Sequence, residues 1–380
     1  MIQEFKEKTP PFYFKATMIL LGISLFVAGI YFGSNIFIPL ALAGLISILL
    51  FPLCQRLEKW GIHRILAIII CIILIFIVLG GIIFLLSTQV IRFTNELPQL
   101  LESVSKKFND IQDHFSRWFN VSPEGQMDWL RKQTENLLAS GGSMLQSTLF
   151  ATTNTFAVLG LLPIYIFFFL FYRDKFKNFV YKVSPNEKHE KAKMIMGKIK
   201  NVVQSYIAGL LIVIIILAIL NTVGLTIIGI RYALFFGVMA ALLTVIPYIG
   251  IFIGSALPIL MALLTKDSLV YPLAVFILFT VIQFLEGNFI TPNVVGSKVS
   301  INPFAAILAL IIGGAIWGIP GMIISVPMLG MLKVILDNVE ELKPYGYLMG
   351  TEGSDEHSVS LSGTWRKIKR IFSGSSRNRE

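Results

Sequence analysis

Long uncharged apolar runs recur along this chain, and they constrain its fold more than any other feature. The run Ile65–Leu86 carries no charged residue at all. Runs near or above the ~18 residues of a membrane-helix candidate cover roughly Ala16–Phe32, Ile36–Cys54, Ile65–Leu86, Leu149–Tyr172, Ile207–Ile230 and Leu269–Ile290. With 55% hydrophobic residues, 14% charged residues and a mean hydropathy of +0.75 over 380 residues, there is too little polar surface for a soluble coat. The runs are continuous rather than alternating, which argues against an outer-membrane barrel. The expected class is an all-α polytopic membrane protein of about eight segments, with an extracytoplasmic helical hairpin.

Two apolar stretches are too long to be single straight spans. Tyr232–Leu264 would measure ~50 Å as one helix, against a ~30 Å hydrocarbon core. Pro247, Gly250, Gly254 and Pro258 interrupt it. Pro303–Val334 is interrupted by Gly313, Gly314, Gly318, Pro320, Gly321 and Pro327. Each either crosses once with kinks or re-enters as a hairpin, and the re-entrant reading is preferred. The two hairpins are then inverted in topology, the sequence pointer to a transport site at a repeat interface.

The chain divides into 1–87 (three spans), 88–147, 148–206 (a fourth span and a basic cytoplasmic helix), 207–345 (the motif-rich half) and a 346–380 cytoplasmic tail. Segment 88–147 is polar. Its Leu97, Leu100, Leu101, Val104, Phe108, Ile111, Phe115 and Trp118 recur at helical spacing, which predicts a helical hairpin outside the bilayer. Residues 173–200 hold nine Lys/Arg against three acids, and the tail from Thr351 turns from acidic to basic. Basic loops face the cytoplasm, so both termini are expected there. A net charge of +10 does not point to nucleic acid, because no recognition module is present. Cys54 and Cys71 read as packing residues.

No catalytic pattern emerges. His63, His114, His189 and His357 all lie in predicted loops or tails, without metal-ligand spacing. No nucleophile–base pair or phosphate-binding loop accompanies the spans, so neither an enzyme nor a cofactor is expected. The polar residues of the second half remain. Glu286 is the one carboxylate inside a likely span, with Gln283, Asn288, Thr291 and Asn293 around it and Gly287, Pro292 and Gly296 interrupting the helix. An intramembrane carboxylate is a functional hypothesis by default. It can relay a proton or cation or anchor a polar solute; alternatively it lies at the membrane edge or pairs with a neighbour such as Arg231 or Lys298. Pro247, Tyr248, Gly250 and Gly254 could unwind a helix and free carbonyls for a ligand, or form a packing kink.

Three segments together resemble the autoinducer-2 exporter-like family of bacterial inner-membrane permeases. They are Ile246–Gly250 with Gly254, Glu286–Pro292 with Gly296, and Gly318–Met322 with Pro327. The resemblance covers roughly residues 10–340. It implies a transporter without its own ATPase, exporting a small polar solute such as autoinducer-2 or exchanging sodium for protons. It also implies a homo-oligomer, a pentamer in particular. The expected binding set is Pro247, Tyr248, Gly250, Gly254, Gln283, Glu286, Asn288, Thr291, Pro292 and Gly296, with a small molecule or ion and the lipid bilayer as partners. A membrane scaffold that transports nothing is the remaining alternative.

Overall fold

The computed structural model describes residues 11–89, 91, 153–185, 189–246, 249–296 and 301–351. The predicted 88–147 hairpin and most of the tail lie outside this set. The described residues contain helices and no strand. They run α1 Phe12–Phe32, α2 Ser34–Lys59, α3 Arg64–Gln89, α4 Thr153–Phe171, α5 Arg173–Val183, α6 His189–Ile228, α7 Ala233–Leu243, α8 Ile249–Thr265, α9 Val270–Leu285, α10 Pro303–Asn338 and α11 Lys343–Met349. By length and composition alone, six helices among the described residues could cross a membrane: α1, α2, α3, α6, α9 with the turns that extend it, and α10, the last taken end to end although it is broken at Gly318. Gly160–Phe171 within α4, together with α7 and α8, are shorter apolar helices. The outer faces carry exposed Leu, Ile and Phe along α1, α3, α6 and α9, a surface suited to lipid contact.

Side-chain packing joins α2, α3 and α4 around Ala43, Leu50, Ile68, Ile166 and Leu170, with Cys54 and Cys71 buried in the same cluster as free thiols. A charged belt closes one end of this bundle. Arg64 pairs with Asp174 at 2.6 Å and also donates to the carbonyls of Leu170 and Phe171. Those carbonyls end α4 and have no partner within the helix, so the guanidinium satisfies them and suits the negative helix end. Arg173 pairs with Glu58 beside it. The end of α2, the start of α3 and the end of α4 are thereby brought together.

No proline interrupts His189–Ile228, and α6 is one helix of 40 residues, ~60 Å long, continuous through Gly197, Gly209 and Gly224. The predicted basic helix and the span after it are therefore continuous. Its first turns extend past a ~30 Å core, and its later turns organise the second half. Gly224 approaches Leu278 of α9 and Gly237 of α7 approaches Thr222, contacts that larger side chains would obstruct. Leu225, Phe236, Met261, Ala262 and Val275 fill the space between α6, α7, α8 and α9. Leu45, Val203 and Ile324 tie α2, α6 and α10 together.

Both overlong stretches reverse direction. In the first, a Cβ at Gly250 would meet the Leu243 carbonyl and one at Gly254 would meet Ala240, so α7 and α8 pack antiparallel. The open end of this hairpin also closes, because Gly229 and Lys266 approach each other. In the second, Gly318 adopts φ 62°, ψ −139°, backbone that glycine tolerates and other residues strain to reach. The backbones of Gly313 and Gly321 then touch, although eight residues of straight helix would separate them by ~12 Å. The ends of α10 converge on α11. Asn302 caps α10 by accepting from the Ala305 amide, and its own amide donates to Leu348 and Gly350 carbonyls. Lys333 meets Gly350 from the other arm, paired with Asp337 at 2.6 Å.

The hairpins open toward opposite ends of α6. The first closes beside Gly229, just past its last turn. The second closes beside its basic start, where Lys198 donates to Asn338 at 2.9 Å.

Candidate functional site

The site begins where α9 stops being an α-helix. Over Glu286–Ile290, and again over Pro292–Gly296, the coil widens to i→i+5 bonding. The Thr291 amide donates to the Glu286 carbonyl. Proline supplies no amide hydrogen and its ring crowds the preceding turn, which explains why the widening brackets Pro292. Such π-turns are uncommon and concentrate at functional positions. This one displaces the residues after Leu285 relative to a regular helix, and it brings Val294 against Gly209 of α6.

Glu286 is half-buried on the first widened turn. Its Oε2 accepts from Gln283 Nε2 at 2.8 Å and its Oε1 accepts from Thr291 Oγ1 at 3.4 Å. The carboxylate is thus held by two neutral donors of its own segment. Neither donor is Arg231, one of the two partners weighed from the sequence; the other, Lys298, lies outside the described residues.

Glu286 and Gln283 line a cavity of about 20 Å³ with Asn221, Leu217, Thr244 and Gly250. The cavity lies under the tip of the α7–α8 hairpin, between α6 and α9. Asn221 is 3% exposed and its Oδ1 has no hydrogen-bond partner. The hydroxyl of Thr222 beside it is also buried without a partner. Thr244 Oγ1 donates to the Ala241 carbonyl, leaving its lone pairs available. Gly250 is needed because any side chain would strike the Leu243 carbonyl; its absence of Cβ lets the hairpin tip close over the cavity.

Of the expected binding residues, Gly250, Gln283, Glu286 and Thr291 gather here. Gly254 lies one turn away, against Ala240. Asn288 and Pro292 are exposed, and Asn288 Nδ2 donates to the Phe284 carbonyl of its own helix. Asn293 is bonded likewise to Phe289. Gly296 ends the second widened turn. Pro247 and Tyr248 lie outside the described residues. Asn221 and Thr244 were not anticipated. Asn221 is the sole amide side chain in Ile207–Ile230, and that was the available signal. No cluster of three His, Cys, Asp or Glu side chains that could hold a metal occurs among the described residues.

Comparison with known proteins bears on this arrangement. A family model described as AI-2E family transporter matches residues 20–341. YrrI of Bacillus subtilis is 30% identical over 311 residues, covering 80% of this chain and 86% of its own. YueF of the same organism is 28% identical over 82% and 86% of the two chains. Both carry names that assign them to transport only provisionally. The AI-2 transport protein TqsA of Escherichia coli is 25% identical over 84% of this chain and 91% of its own. The family match spans both hairpins and the widened turns between them, and the chain belongs to the AI-2E transporter family.

Proposed function

We propose that this protein is a secondary transporter of a small polar solute, with the cavity at Glu286 as its binding site. One observation carries the reading. A hydrogen-bonded carboxylate and an unpartnered buried amide carbonyl face the same cavity, inside an apolar helix assembly and beneath the α7–α8 hairpin. Polar groups in such surroundings are expensive and are retained where substrates or ions pass. Irregular backbone at membrane depth is tolerated when it lines a cavity, and the π-turns with the α7–α8 tip fit that condition. The oppositely opening hairpins fit an inverted pair about a central site. In this reading each hairpin re-enters the bilayer, the basic end of α6 is cytoplasmic, and the cell membrane of a bacterium is the setting. The relative TqsA, named for AI-2 transport, makes autoinducer-2 the first solute to test.

The cavity's size favours a second reading. About 20 Å³ is room for one water or a bare cation, too little for a sugar-sized solute without opening. Sodium–proton exchange at Glu286, with Asn221 Oδ1 as a further oxygen ligand, suits the closed form. Purified protein in vesicles separates the readings. Efflux of autoinducer-2 that falls at least tenfold in Glu286→Gln supports solute transport. Sodium-driven internal pH change, lost in the same variant, supports exchange. Full flux of both in Glu286→Gln removes this residue from the site.

A further inference from the structure

A second, larger concavity lies at the charged end of the molecule. It measures about 720 Å³ and is bounded by α2, the α4–α5 junction and the first turns of α6. Its inner wall is apolar: Ile48, Phe51, Phe169 and Met196. Four cations line it, Arg173, Lys177, Lys193 and Lys200, against the single carboxylate of Asp174. That carboxylate is engaged by Arg64, and Arg173 is engaged by Glu58 through one nitrogen while its Nη1 is buried without a partner. Lys193 reaches only the exposed Glu190, at 3.7 Å. Lys200 and Lys177 have no carboxylate partner among the described residues. Lys200 Nζ instead sits 4.2 Å from the centre of the Phe51 ring, and Lys177 faces Tyr181.

The cavity therefore pairs an apolar wall with a surplus of positive charge. Its outer edge is α5, whose Phe176, Phe179, Val180 and Val183 are exposed on a helix that also carries Lys175, Lys177 and Lys182. A short amphipathic basic helix of this kind lies in the plane of the headgroups. The concavity thus opens at the level where phosphate and acyl chain meet. We propose that it is a binding site for an anionic phospholipid, with the phosphate held by Lys177, Lys200 and Arg173 and one acyl chain along Ile48, Phe51 and Met196. Basic recesses between membrane helices on the cytoplasmic side recognise such headgroups, and a volume of this size falls within the ~300–1,000 Å³ of ordinary ligand pockets. Its lining shares no residue with the cavity at Glu286. Because α2, α4 and α6 all contribute walls, a bound lipid would tie the first bundle to the helix that carries the second half.

The test uses full-length protein in nanodiscs of phosphatidylcholine with and without phosphatidylglycerol, released and examined by native mass spectrometry. Wild type is expected to retain phosphatidylglycerol at least fivefold over phosphatidylcholine. Lys177→Gln/Lys200→Gln should lose that preference, and Lys177→Arg/Lys200→Arg should keep it. Gly197→Trp supplies a charge-neutral arm: Gly197 lines the cavity and a Cβ added there meets nothing within 4 Å, so the backbone admits the substitution and the indole would fill the acyl path, reducing retention with every cation in place. Thermal unfolding in phosphatidylcholine alone shows which variants fold. Equal retention by wild type and by folded Gln and Trp variants overturns the proposal. So does displacement of the lipid by millimolar glycerol phosphate, which would assign the cations to a soluble phosphate.

Discussion

Asn221 and Glu286 face one cavity but stand in opposite hydrogen-bonding states. Glu286 accepts from Gln283 and Thr291, whereas Asn221 Oδ1 is buried and accepts from nothing. A buried polar atom without a partner costs about 1–3 kcal/mol, and replacing it with an apolar group of similar shape is nearly neutral or stabilising. Asn221→Leu is therefore expected to leave the thermal unfolding midpoint in detergent unchanged or raised, while flux in vesicles falls at least fivefold. A merely structural asparagine would show the reverse pattern, loss of stability with residual flux in proportion to folded protein. At this scale the sequence was informative about Glu286 and its neighbour Gln283, and silent about Asn221 on another helix. A carboxylate in an apolar run stands out by itself. An asparagine in one does not, because its significance comes from the α7–α8 tip that buries it, and that tip is a tertiary feature. The same limit applies to Asn288: the sequence placed it beside Glu286, but the helix turns it outward to bond Phe284.

At the scale of elements, glycines set the two reversals. A Cβ at Gly250 would lie 1.8 Å from the Leu243 carbonyl oxygen, so Gly250→Ala must part α7 from α8. The expected result is a large fall in folded yield together with loss of flux. Gly318→Ala acts differently. Nothing lies within 4 Å of the added carbon, but the backbone there is strained for an L residue, and the cost is about 1–3 kcal/mol. A lowered unfolding midpoint in otherwise assembled protein is the expected reading, and an unchanged midpoint would show that Gly318 relaxes to an ordinary helical conformation. The sequence displayed many breakers without ranking them. Pro258 and Pro327 lie inside helical arms and Pro320 follows the break at Gly318 by two residues, whereas the first arm turns at 244–246. Proline marks a lost hydrogen bond, but whether the chain kinks or returns depends on what the second arm packs against. Here the contacts Gly254–Ala240 and Gly313–Gly321 decide it. The continuity of α6 was hidden for a related reason, since a basic segment and an apolar one differ in environment and not in helical propensity.

For the molecule as a whole, the arrangement of ends is the testable quantity. Lys200 lies over Phe51 and Lys198 bonds Asn338, so the ends of α2 and α10 share one face with the start of α6. Gly229 and Lys266 share the other. The sequence could anticipate this much from charge, because lysine and arginine collect before the first span, after the second and after the fourth. Charge could not separate a crossing stretch from a returning one, since both leave the C-terminus on the same side; the paired Gly and Pro breakers favoured the returning one. Single cysteines in a background lacking Cys54 and Cys71 make the distinction. Both native thiols are buried in the α2–α4 core, so their removal should be made with similar-sized Ala or Ser. Lys266→Cys in intact cells should react with an impermeant maleimide added outside. Lys343→Cys, at the start of α11, should react only after permeabilisation. Labelling of Lys266→Cys only from the cytoplasmic side would mean that Tyr232–Leu264 crosses the bilayer, and the cavity under its tip would then no longer lie between two oppositely inserted hairpins. Labelling from outside, with Lys343→Cys protected, leaves the widened turn at Glu286 facing a hairpin inserted from outside and continuing into one inserted from within. In that geometry, movement of either tip would open the cavity to one side at a time.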